Sequence, residues 1–206
     1  MPDWDADSPR LQQNLRSVLR RIRDSARARE LPTVEAARSW HAEMLTGLDL
    51  PGMRYAGAFR GEAGLEHAEV RVGRHLGVRA ADVGATLTAF ERVLHSAVTR
   101  LDELVPRDAA LDADRIAAVL ELCAWAHAEW IRIHPFVNGN GRTARLWANG
   151  LAMRYGLPPF VRLRPRPDDD DYGAAGEQAM LGNWGLTAAV FRRMLLRFLD
   201  EASQDT

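Results

Sequence analysis

Lysine is missing from this chain. All 27 basic residues are arginine, which removes the Walker A lysine, the kinase strand lysine and Schiff-base chemistry together. Any cationic contact to a phosphate must come from Arg, whose planar fork suits bidentate phosphate recognition. Cysteine is nearly missing too. Cys123 alone excludes an intrachain disulfide and a cysteine-based zinc site, and it fits a reducing cytoplasm. Its setting, ELCAWAHAEW, is that of a buried helix, so a small core residue is expected there rather than a reactive thiol. No run of about 18 apolar residues occurs; the richest stretch, 116–133, is broken by Glu121, His127, Glu129 and Arg132. The start, MPDWDADSPR, carries no apolar segment and reads as no signal peptide. A soluble cytoplasmic protein without a membrane partner is expected. The formal net charge of -1 gives no electrostatic reason for a nucleic-acid partner.

What is present describes an ordinary globular chain: 206 residues, 47% hydrophobic and 27% charged, about one domain's worth. Thirty-two alanines beside exclusive arginine usage look like the coding bias of a GC-rich bacterial genome. Residues 1–8 are polar, the composition of a frayed end. An Arg-dense helix is expected over 9–30, with Leu11, Leu15, Val18, Leu19 and Ile22 at helical spacing. No aromatic residue interleaves with its seven arginines, so they read as a solvated face rather than a nucleic-acid arm. Further helices are expected over about 33–48 (Thr33 as N-cap), 80–103 (Asp82), 112–132 (Asp112 or Asp114), 142–155 and 186–201. The acidic run 168–171 reads as a loop or a capped helix start. Between the helices, 55–60 and 69–72 carry short β-type runs around glycine turns and predict one hairpin. The fold class is therefore mainly α, a helical bundle with a small β-hairpin.

The chemistry converges on IHPFVNGNGRTARLW, residues 133–147. Asn138-Gly139-Asn140-Gly141 permits backbone conformations closed to bulkier residues, so that successive N–H groups can point one way. A helix follows at once, and its first N–H groups and positive dipole end face the same place: an anion cradle suited to phosphate. Arg142 and Arg145, three apart, project from one face toward that anion. His134 precedes the turn, where an imidazole can take a proton near neutral pH. Phe136 is expected to face inward as the loop's anchor. Each part alone reads as ordinary structure, whereas the ordered set is hard to obtain from packing. A zinc site is a poor rival, since HExxH is absent and His127 and His134 lack ligands at suitable spacing.

The segment 134–145, HPFVNGNGRTAR, closely resembles the signature loop of Fic-domain (Fic/Doc, Fido) proteins, HPFx(D/E)GNGRxxR. Upstream, Gly57, Ala58, Phe59 and Arg60, followed by Val70 and Val72, resemble the family's flap hairpin above the active site. The helix beginning near His41 resembles its first core helix, and 172–183 the region that closes the nucleotide pocket. On this likeness an Arg-rich helical extension spans 1–34, the Fic domain 35–199 and a tail 200–206. The resemblance implies a protein adenylyltransferase that moves AMP from ATP, with Mg²⁺, onto a Ser, Thr or Tyr hydroxyl of a target protein. It implies His134 as general base. Gly139, Asn140 and Gly141 would hold phosphates through backbone amides and the Asn140 side chain, with Arg142 on the β- and Arg145 on the γ-phosphate. The flap would clamp the target by strand addition.

One position departs from the pattern. The family's acidic Mg²⁺ ligand is Asn138 here, and an uncharged amide holds the metal more weakly. That leaves open a slower transferase, another donor, or a nucleotide-binding module without turnover. A phosphotransferase of the same fold is a further alternative, although its motif carries a Lys that this chain lacks. Relatives are often inhibited by a helix with (S/T)xxxE(G/N). The nearest string here, 39–44, ends in Met and falls in the expected core helix, and the C-terminus offers none. Either the protein is not self-inhibited, or a separate antitoxin-like inhibitor, as in a toxin–antitoxin pair, supplies control, with the N-terminal helix as its docking surface.

Overall fold

Side chains that satisfy free backbone groups fix where the helices begin. In the computed structural model, which describes residues 8–204, Ser8 accepts from the amides of Arg10 and Leu11 and opens α1 (Pro9–Ala28). Thr33 Oγ1 accepts from Ala36 and opens α2 (Val34–Met44). Asp112 accepts from Arg115 at 2.8 Å and opens α4 (Ala113–Ile133). Asp169, in the acidic run, accepts from Asp171 and opens α6 (Asp170–Met180). These are ordinary N-caps. Asp82 precedes α3 (Val83–Leu104) without a capping bond: it ends a 3-10 turn in αR backbone rather than the extended conformation of a cap, and its carboxylate pairs with Arg79 at 2.7 Å. Helix α5 is Asn140–Arg154 and α7 is Gly185–Gln204. Of the expected frayed start 1–8, residues 1–7 lie outside the described residues and Ser8 is instead the ordered N-cap of α1, while 200–204 of the expected tail is helical.

Helix α4 is the centre, packed against α3, α5, α6 and α7, and α5 is covered in turn by α1 and α2. Trp130 of α4 and Trp147 of α5 are fully buried with ring centroids 5.7 Å apart. Phe90 of α3 meets both edge-on at 5.6 Å. Cys123 is buried in this core, and burial pushes its thiol well above the usual range, so it is an inert packing residue. Helix α1 buries Leu11, Leu15, Val18 and Ile22, while Arg10, Arg16, Arg20, Arg21 and Arg27 stay exposed. Its arginines are a solvated face. Among the described residues no helix is long and apolar enough to cross a membrane.

The hairpin differs from the expected one. Its strands are β1 (Arg71–Val72) and β2 (His75–Leu76), antiparallel, with Arg71 opposite Leu76 and Val72 opposite His75. Gly73 makes the turn at φ 56°. The stretch 55–60 is not its partner strand: Tyr55 ends a single 3-10 turn (Met53–Tyr55), and 57–60 run as a loop beneath the signature loop. The reason is tertiary. Phe59 is buried against Phe136 at 4.9 Å, and Arg60 is buried and bonded to main-chain carbonyls. Both side chains turn inward, which breaks the in-out alternation a strand needs.

Candidate active site

Helix α4 ends at Ile133, and His134 follows in the left-handed conformation, φ 53° and ψ 56°, with its N–H on Trp130 O at 2.9 Å. A non-glycine residue holds that conformation only where its surroundings impose it. Arg60 imposes it. Its Nε donates to His134 O at 2.7 Å and its Nη2 to Ile133 O at 3.0 Å. The same guanidinium reaches Val78 O at 2.6 Å and Ala68 O at 3.1 Å, while the Arg60 amide donates to Pro135 O at 2.7 Å. A buried cation thus caps the negative end of α4 and ties the hairpin's base to it.

The orientation of the His134 ring follows. Nδ1 lies 3.0 Å from Ile131 O, and a carbonyl only accepts, so Nδ1 carries the proton and Nε2 keeps its lone pair. Burial, with the Arg60 charge as a smaller cause, lowers the imidazole to about 4. His134 is therefore a neutral proton acceptor at physiological pH.

The loop beyond it is braced from within. Phe136 is fully buried, and the Asn140 side chain grips its backbone at both ends: Oδ1 accepts from the Phe136 amide at 2.9 Å and Nδ2 donates to its carbonyl at 2.7 Å. The Asn140 side chain that the resemblance assigned to phosphate is committed to this brace. His41 of α2 stacks on Phe136 with centroids 3.7 Å apart. Its Nε2 donates to Asn138 O at 2.9 Å and its Nδ1 accepts from the Gly57 amide at 3.0 Å. Burial holds it neutral, at about 3. The loop then turns at Gly139, φ 81°, and α5 begins at Asn140.

Position 139 has no room for a side chain: a Cβ there would sit 2.9 Å from His41 Nε2 and 3.1 Å from Met44 Cε. Gly139→Ala is expected to cost about 2 kcal/mol through strain at positive φ and to weaken nucleotide binding by displacing the loop. Thermal denaturation checks the first effect and nucleotide titration the second.

The loop and the start of α5 form one wall of a cleft of about 600 Å³, with Val70 and Arg71 of the hairpin opposite. That volume suits a nucleotide-sized ligand. Asn140 and Gly141 line it at the first turn of α5, where backbone N–H groups lack partners within the helix. Arg142 and Arg145 line it while being only 4% and 6% exposed, so their charges are poorly screened. A second lobe of about 580 Å³, reaching Val72, His127 and Tyr172, shares His134, Gly141, Arg145 and Arg166 with the first.

His127 and Tyr172, neither of them singled out as functional from the sequence, place Arg145. The Tyr172 hydroxyl lies 2.9 Å from His127 Nε2 and receives Arg145 Nη1 at 3.4 Å, while Arg145 Nη2 donates to Leu163 O at 3.0 Å. Burial keeps His127 neutral, at about 3. Arg145 Nε is buried without a hydrogen-bond partner. The string 39–44 lies in α2, where Ser39 bonds back to Glu35 O and Glu43 pairs with Arg21 of α1 at 3.0 Å.

A divalent metal fits these residues poorly. The Asn138 side chain is neutral, and its Oδ1 already accepts from the Gly139 amide at 2.6 Å. Among the described residues no group of three His, Cys, Asp or Glu could hold a metal ion. The carboxylate lining the cleft, Glu69, accepts from the Ala80 amide and sits 3.5 Å from Arg60.

Comparison with known proteins agrees with this geometry. The Fic/DOC family profile matches residues 31–152. The protein adenylyltransferase Fic of Nematostella vectensis is 46% identical over 54 residues, 26% of this chain and 13% of that protein. The chain therefore spans a small part of the curated relatives it matches. Fic-1 (residues 134–508) of C. elegans superposes with a TM-score of 0.66 at 22% identity, over 94% of this chain and 51% of that one. BepC of Bartonella tribocorum, solved with bound AMPPNP, gives 0.58 at 16% identity, over 91% and 87%. The helical bundle, its hairpin and the profile match over more than half its length place this chain in the Fic/DOC family.

Proposed function

We propose that the chain is a protein adenylyltransferase that moves AMP from ATP to a Ser, Thr or Tyr hydroxyl of a target protein. The observation that carries this reading is a neutral imidazole with its Nε2 lone pair available, set directly before a helix N-terminus flanked by two buried arginines. The triphosphate lies on the amides of Asn140 and Gly141, with Arg142 and Arg145 on its β- and γ-phosphates. The hydroxyl oxygen attacks the α-phosphorus, its proton passes to His134 Nε2, and the bond from the α-phosphorus to the bridging oxygen breaks. Pyrophosphate leaves, held by the arginines. Fixed donors aimed at developing phosphate charge, in-line positioning and general base catalysis supply the rate. The target's backbone docks on the hairpin at Val70 and Val72. The relatives named adenylyltransferase Fic support the reaction class. Control by a separate antitoxin-like chain is part of the same proposal.

ATP labelled at the α- or the γ-phosphate tests the reaction. Label on protein from the α-phosphate alone is expected. Label from the γ-phosphate alone would make the protein a phosphotransferase, and none from either would sink the proposal.

The same reading fixes a pH dependence. A base whose conjugate acid lies near 4 in the free protein is fully deprotonated from pH 6 upward. The profile of kcat/KM, which reports free-enzyme groups, is expected to stay flat between about pH 5.5 and 8 and to fall toward pH 4. A bound triphosphate favours the imidazolium by its charge, so the acid limb of kcat lies at higher pH. An acid limb of kcat/KM at the ordinary histidine value near 6.5 that ATP binding, titrated over the same range, does not share would contradict the assigned burial of His134.

A further inference from the structure

The charge of the cleft disagrees with its family's use of a divalent ion. Five arginines, Arg71, Arg142, Arg145, Arg164 and Arg166, line its first lobe beside one carboxylate, Glu69, and the second lobe adds Glu177. Glu69 is already matched by the buried Arg60 at 3.5 Å, and its Oε1 is taken by the Ala80 amide at 3.1 Å. Mg²⁺ takes oxygen ligands, usually one or two carboxylates together with phosphates. Here it would find a neutral amide oxygen turned onto its own loop and a surrounding field of positive charge that repels it. A free ATP triphosphate carries about four negative charges at neutral pH, which the arginines can match unaided.

Arg166 occupies the place where such charge is needed. It lines both lobes of the site, together with His134, Gly141 and Arg145, and so lies on the seam between phosphate cradle and second lobe. Its guanidinium carbon stands 5.2 Å from the centre of the Tyr172 ring, within cation–π range. The loop that carries it is anchored on both sides: Asn149 of α5 grips the Val161 amide and carbonyl at 2.9 and 2.7 Å, and Pro167 is buried. Arg145 further ties the loop at Leu163 O. A triphosphate on α5 whose nucleoside enters the second lobe crosses this seam at its α- and β-phosphates.

We propose that the cleft binds the nucleotide triphosphate without a divalent cation, and that Arg166 supplies the positive charge at the α- and β-phosphates. The inference rests on the nucleotide reading above. In the transfer step it adds no reactant. The hydroxyl proton still goes to His134, the new bond forms at the α-phosphorus, and pyrophosphate leaves as an anion beside guanidinium groups.

Calorimetric titration of ATP into the purified chain, in EDTA and in excess Mg²⁺, tests this. The expected result is binding in EDTA at least as tight as in Mg²⁺. Arg166→Gln, an exposed position whose loss leaves the core intact, is expected to weaken binding in EDTA by about tenfold or more, the worth of one charge-assisted contact. Asn138→Asp is expected to weaken binding in EDTA and to make Mg²⁺ tighten it. Binding by the wild type that is tenfold tighter in Mg²⁺ would overturn the metal-free inference and leave the nucleotide reading standing. No ATP binding in either medium would overturn both. Unchanged affinity of Arg166→Gln in EDTA would remove Arg166 from the role.

Discussion

Replacing His134 with alanine is expected to lower AMP transfer by about 10²–10⁴-fold, the usual contribution of a positioned general base, while ATP binding persists. The expectation follows from tautomer geometry. Nδ1 is spent on Ile131 O, so Nε2 is the ring atom able to take a proton. The phosphates rest on groups that do not involve the imidazole: the start of α5, Arg142 and Arg145. His134 also sits at φ 53°, where alanine is strained, and a loss of activity in that variant has to be separated from a loss of structure. His134→Asn does so, because asparagine tolerates the left-handed region and lacks a comparable base. Single-turnover transfer with both variants, beside their thermal midpoints, is the measurement. Retention of transfer within a few fold by a folded His134→Asn would remove His134 as the base.

The largest effect on stability is expected at Arg60. Its side chain is buried and donates to four carbonyls, those of Ala68, Val78, Ile133 and His134. Burial works against its charge, with Glu69 as the compensating carboxylate. Arg60→Met keeps much of the volume and leaves the acceptors without donors and Glu69 without its partner. The expected cost is about 3–5 kcal/mol, a fall in thermal midpoint of roughly 6–20 °C for a chain of this size. Arg60→Lys is expected to recover little, since three donors on a compact ammonium cannot reproduce a planar fork that meets four carbonyls. Transfer should fall as well, because the same bonds fix the backbone of Ile133 and His134. A thermal midpoint for Arg60→Met within about 2 °C of wild type, equivalent to roughly 1 kcal/mol or less, would mean that water replaces those bonds without cost.

How legible each part was in the sequence depended on how far apart its partners lie. The signature loop is written in consecutive residues. His134, Phe136, Gly139 and the two arginines can therefore be read together, and each lies at the cleft or under it. The helix starts at Thr33 and Asp112 were legible for the same reason, since an N-cap reaches only two or three residues along the chain, whereas Asp82 makes no capping bond. The stretch 55–60 reads as a strand and forms none, because its partners are remote: Arg60 bonds to residues 73 and 74 positions away. Within a local window the small and apolar residues of 55–60 look like a strand. His41 and His127 were illegible as parts of the site because a lone histidine on an apolar helix face gives no sign of its partners. Those partners are Asn138, 97 residues on, and Tyr172, 45 residues on. Asn140 shows a third limit. The motif fixes its identity, but only the fold reveals that its side chain braces Phe136.

The most direct test of the whole account is a crystal structure of the chain with a non-hydrolysable ATP analogue. The account predicts the β- and γ-phosphates within hydrogen-bond distance of the Asn140 and Gly141 amides and of Arg142 and Arg145. It places the α-phosphate nearest His134 Nε2 and the nucleoside in the lobe toward Tyr172. A nucleotide bound in the opposite direction, with its γ-phosphate nearest His134, would contradict adenylyl transfer, and a nucleotide seated away from the start of α5 would contradict the site itself.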